Sequence, residues 1–140
     1  MKLSQYLNNN KAQHLPLEVP GVGQIDDVYF RRLSAGEGLE LKDAFADLLD
    51  QAGDAVRGLA EGDVEQAEEK ARQSLSPDQM RAMFKFQALF CFLHLANKDG
   101  SRAYESRKEF DAEVPDEFIQ AFYAEGSALK KQDEGEPEKN

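Results

Sequence analysis

Residues 76–100 read SPDQMRAMFKFQALFCFLHLANKDG, and chemistry that starts and stops a helix marks both ends of this run. Ser76 is a capping residue, Pro77 suits the first helical position, and Gln79 stands three residues after Ser76 to complete a capping box. At the far end Asn97, Lys98, Asp99 and Gly100 are turn formers, and Gly100 accepts the positive φ that ends helices cheaply. Between Phe86 and Ala96 only Gln87 and His94 are polar. At about 100° per residue the apolar side chains point all round the axis, and such a helix has to be covered all round. Phe92 falls on the side of the wheel that carries Arg81 and Lys85, which begins wet. Either other helices of the chain enclose Phe92, or a second molecule does.

Outward from this helix the chain reads as one mainly α (α+β) domain, residues 1–131, followed by a disordered acidic tail, residues 132–140. The size, 140 residues, is enough to bury about two-thirds of the unfolded surface around a single core. Before the helix, residues 1–10 hold a short helical turn with Leu3, Tyr6 and Leu7, a loosely docked leader. Alternation at Leu15, Leu17 and Val19 has the period of strands, and Ile25, Val28, Phe30 and Leu33 follow beyond the glycines as a second extended run. With Gly21 and Gly23 between them, the spacing predicts a β-hairpin of residues 15–19 and 27–33, whose first strand Pro16 and Pro20 hold short or at an edge. Leu41, Phe45, Leu48, Leu49, Ala52, Val56 and Leu59 recur at helical spacing and form one apolar face. A polar surface helix over residues 64–73 follows. Beyond the central helix, residues 102–110 make a connection anchored by Tyr104 and Phe110. Pro115 then opens a last helix with the stripe Val114, Phe118, Ile119, Phe122, Tyr123 and Leu129, whose partner is the central helix. The expectation is a short N-terminal hairpin and a bundle of about four helices around the apolar one.

Composition excludes several classes of function. A net charge of −10 argues against binding nucleic acid, since phosphates need a basic face to displace their counterions. The longest apolar run, from Ala88 to Leu93, is far too short to span a bilayer, and the first residues lack the apolar core of a signal peptide. Cys91 is the only cysteine, so no internal disulfide forms, and a reducing cytoplasmic setting fits. No His or Cys pair has zinc-ligand spacing. A calcium loop aligned on Gly100 places Leu95 at the first ligand position and Ser106 at the last, where a bidentate acid belongs. His94 inside an apolar helix reads as a hydrogen-bonded core residue, and Glu61, Asp63, Glu65, Glu68 and Glu69 as the wet face of a helix. The expectation is a protein with no catalytic residues, no cofactor and no metal.

Two stretches carry a family resemblance. Val28, Tyr29, Phe30, Arg31, Arg32, Leu33, Ser34 and Ala35 form a strand, a basic pair and a serine entering a helix. Leu95, Ala96, Asn97, Lys98, Asp99 and Gly100 close the apolar helix, with Arg102, Ala103 and Tyr104 beyond and Val114, Pro115 and Phe118 in the final helix. In order and spacing this resembles the tail assembly chaperones of long-tailed bacteriophages, over residues 17–131. The resemblance implies a non-catalytic protein of phage or prophage virion morphogenesis, in the cytoplasm of the bacterial host. It would bind the helical tape-measure protein, keep it soluble and recruit tail-tube subunits around it, as a homo-oligomer. Phe86, Phe90 and Phe92 are the expected partner contacts, and Phe92→Asp is expected to weaken association while leaving a folded chain. A second class is an acidic nucleic-acid mimic inhibiting a DNA-binding partner, although the carboxylates cluster after Glu61 and in the tail rather than spreading at phosphate-like spacing.

Overall fold

The central helix begins where its capping chemistry requires. In a computed structural model that describes residues 2–5, 12–52 and 76–135, Ser76 Oγ accepts from the Gln79 N–H, and the Gln79 side chain accepts from the Ser76 N–H at 2.8 Å. The helices and strands of those residues, in chain order, are β1 Gln13–His14, β2 Leu17–Val19, β3 Gly23–Ile25, β4 Tyr29–Phe30, α1 Ala35–Ala52, α2 Pro77–His94, β5 Leu95–Ala96, α3 Arg107–Glu113 and α4 Asp116–Gly135. Residues 3–5 form one further helical turn. The polar helix expected over residues 64–73, and Val56 and Leu59 of the preceding one, lie outside the described residues.

The strands differ from the expected hairpin. Leu17–Val19 pairs antiparallel with Gly23–Ile25, not with residues 27–33. The turn between them is tight, with Val22 N–H donating to Val19 O and Gly21 at φ 81°. The second expected strand contributes only Tyr29–Phe30, which joins a separate three-stranded sheet of order β1–β4–β5. Its partners, Gln13–His14 and Leu95–Ala96, are far apart in the chain. Backbone pairing across that distance leaves no local signal to read.

β5 also shortens the central helix, which stops at His94 rather than at the 97–100 turn. Leu95 takes an extended conformation, φ −67° and ψ 124°, and lies opposite Phe30 in β4. Gly100, at φ 94°, closes the following turn, in which Asn97 N–H donates to Ser101 O. At the other end of the fold α4 continues to Gly135 and takes up the first four residues of the expected tail, 132–135; residues 136–140 are outside the described set.

α2 lies between α1 and α4, with β2 against α4. α1 runs antiparallel to α2: Gln79 Nε2 donates to Gln51 O at one end, while Arg31, just before α1, donates to Leu93 O at the other. The core is aromatic. Phe90 meets Tyr123 edge-on at 4.9 Å between ring centroids, and Phe30 stacks on His94 at 4.5 Å. Gly126 is the close-approach position of α4, since a Cβ there would stand 2.8 Å from Phe30 Cε2 and 3.0 Å from Phe90 Cε1.

Candidate client groove

The face of α2 on which Arg81, Lys85 and Phe92 were expected to line up is treated differently at its two ends. At the C-terminal end it is closed by the chain itself. Phe92, 8% exposed, meets the wholly buried Phe110 of α3 edge-on at 5.6 Å. Two guanidiniums complete the cover, Arg102 at 5.3 Å and Arg107 at 5.8 Å from the ring centroid. A cation over a ring face is attracted by the ring quadrupole, so the two arginines add to the cover that Phe110 gives this phenylalanine. Of the two readings of Phe92, the structure has the one in which the chain's own residues enclose it.

Phe86 and Phe90 are likewise interior. Phe86 packs against Phe45 at 5.6 Å and Tyr123 at 6.1 Å; Phe90 is enclosed by Phe30, Phe122, Tyr123 and His94. Of the three expected contact residues, Phe86 lines the groove described next, and Phe90 and Phe92 are not part of its lining. With Phe92 in the core, Phe92→Asp is now expected to damage the fold, reversing the outcome anticipated from the sequence.

Toward the N-terminal end the same face stays open as a groove of about 700 Å³. Its floor and walls are Ala44 and Leu48 from α1 and Ala82, Phe84, Phe86, Ala88 and Leu89 from α2. Asp47 and Gln51 edge the α1 side, Asp78, Arg81 and Lys85 the α2 side, and the Arg107–Asp111 ion pair of α3, at 3.0 Å, stands at the closed end. Ala82, Phe84 and Leu89 are half-buried and Arg81 and Lys85 exposed. Sequence reading missed the groove because Ala44, Ala82 and Ala88 look like ordinary helix formers; the gap between α1 and α2 makes them a site.

Behind the closed end lies the polar centre that fixes the geometry. Glu37 Oε2 accepts from Arg31 Nη1 at 2.8 Å and from Arg102 Nη2 and Nε at 2.5 and 3.0 Å. Glu37 Oε1 accepts from the Ser34 N–H at 2.9 Å, and Ser34 Oγ accepts from the Glu37 N–H, a second capping box. Burial alone would raise the carboxyl's pKa, but the hydrogen bonds from Arg31, the Ser34 N–H and Arg102 outweigh it and hold it at about 2. The pattern Ser34-x-x-Glu37 was the available signal for this helix start. Arg31 Nε is buried without a hydrogen-bond partner, a cost the neighbouring bonds must offset. The two stretches carrying the family resemblance thus meet here, Arg31 from the first and Arg102 from the second, on one carboxylate.

His94, 1% exposed, shares a hydrogen bond between Nδ1 and Phe90 O at 2.9 Å, and burial drives its pKa down to about 3. Burial pushes the Cys91 thiol far up, so it stays protonated. His14 lies in β1, its Nε2 against Asp26 O, distant in role from His94. Among the described residues no group of three or more His, Cys, Asp or Glu side chains could hold a metal, and no helix is long and apolar enough to cross a membrane. No family model matches this chain, and neither a curated protein nor a solved structure matches it.

Proposed function

We propose that this protein is a non-catalytic tail assembly chaperone that binds the tape-measure protein, keeps it soluble and helps recruit tail-tube subunits. The single observation that carries the physical half of this reading is the groove beside α2. It offers apolar side chains along two helices with charged edges, the form that receives the apolar stripe of an amphipathic helix. The ordered resemblance of residues 28–35 and 95–118 to such chaperones supplies the identity of the client. The acidic body, net −10, suits a protein that carries an apolar contact surface and remains in solution.

Co-expression with a tape-measure fragment tests the proposal by the soluble yield of the fragment and by pull-down. The wild-type chain is expected to keep the fragment soluble. Ala82→Arg, which fills the groove from a half-buried position, and Leu89→Asp are expected to abolish the effect while circular dichroism stays unchanged. A fragment left insoluble by folded wild type, or rescued equally by both variants, overturns it.

A further inference from the structure

The charges along the groove are sorted in a way that selects a partner. Arg81 and Lys85 are four residues apart on α2, about 6 Å along its axis, and both are exposed. Among the described residues neither is in an ion pair, whereas Arg107, the third base of the groove, is tied to Asp111. Across the groove the α1 edge presents Asp47. In a chain with 27 acidic residues against 17 basic ones, the groove lining balances three acids, Asp47, Asp78 and Asp111, with three bases, and on the α2 rim Arg81 and Lys85 outnumber Asp78. Ala44, Ala82 and Ala88 leave room for a helix backbone to come within the 8–10 Å of ordinary helix packing.

We infer that the groove, on the reading proposed above, takes an amphipathic helix of defined handedness of charge. Its apolar stripe of Ala and Leu faces α1 and α2, two acidic residues one turn apart lie over Arg81 and Lys85, and a basic residue lies on the opposite flank toward Asp47. Complementary charges of this kind select among partners and set orientation more than they raise affinity.

Two synthetic peptides of about five turns test this against the full chain by fluorescence anisotropy. They share one Ala/Leu stripe and differ in carrying Glu or Lys on the flank that meets α2. The Glu peptide is expected to bind about tenfold more tightly. The preference should reverse in the Arg81→Glu/Lys85→Glu variant and shrink at about 0.5 M salt. Equal binding of the two peptides, with no change in the variant, overturns the charge selection and leaves the groove reading standing. No binding of either peptide overturns both. Self-association of the chain that the peptides do not displace and the double variant abolishes gives the groove to a second copy and overturns the inference.

Discussion

Replacing Glu37 by Gln removes the charge that both Arg31 and Arg102 are arranged around, and leaves two guanidiniums partly buried without their anion. Breaking such a pair from one side costs 3–5 kcal/mol when it is fully buried. Here the arginine side chains retain 17% and 32% exposure, so the expected loss for Glu37→Gln is about 2–3 kcal/mol, read from urea unfolding at pH 7. Gly126 gives a second residue-level test with an internal control. Gly→Ala inside a helix normally gains up to about 1 kcal/mol, and Gly36 and Gly38 have open space around a new Cβ, so Gly38→Ala should stabilise. At Gly126 the added methyl meets the Phe30 and Phe90 rings, held by their own packing, and Gly126→Ala is expected to lose about 1–2 kcal/mol net. Opposite signs for the two substitutions check the argument; equal gains would contradict the close approach of α4.

At the scale of the element, α2 has two halves with separate duties. Its N-terminus depends on the Ser76–Gln79 box, so Ser76→Ala should lower stability by about 1 kcal/mol. Its C-terminal half is core and its open face is groove, and truncation distinguishes them. Phe92→Ala removes a ring packed on Phe110 and is expected to cost about 3–4 kcal/mol, whereas Leu89→Ala, at a half-buried groove position, should cost under about half of that. Comparable losses at the two positions would mean that Leu89 is as enclosed as Phe92. The start and stripe of this helix were legible at once, because capping boxes and 3.6-residue periodicity are local. Its end was not: Leu95 and Ala96 would continue a helix comfortably, and they become a strand because β4 supplies hydrogen-bonding partners 65 and 67 positions earlier, in the register Phe30↔Leu95 and Tyr29↔Ala96.

Across the whole molecule, stability is expected to fall in mild acid, and the sign follows from His94. Its folded pKa of about 3 lies below the ordinary 6.5. Between these values the unfolded chain binds a proton that the folded chain does not, so stability is complete above pH 6.5 and declines as pH drops toward 3. By pH 5 the loss amounts to about 2 kcal/mol. Glu37, held at about 2 against an ordinary 4.5, adds a further loss only below pH 4.5. Urea midpoints at pH 7 and pH 5 should therefore differ for the wild type and converge in His94→Gln; equal wild-type midpoints would show that His94 charges without unfolding.

The sequence by itself determined which segments are helical among α1, α2 and α4, the start of α2, and the need to cover an all-round apolar rod, because periodicity, caps and composition act over a few residues. It also presented the two stretches on which the proposal of a phage tail chaperone rests. Only the tertiary structure decided which side chains cover Phe92, which strands pair, and where the open surface lies. Each of those depends on groups distant in the chain arriving at one place: Arg102, Arg107 and Phe110 over one ring, Arg31 and Arg102 on one carboxylate, and α1 standing far enough from α2 to turn three alanines, two leucines and two phenylalanines into a groove.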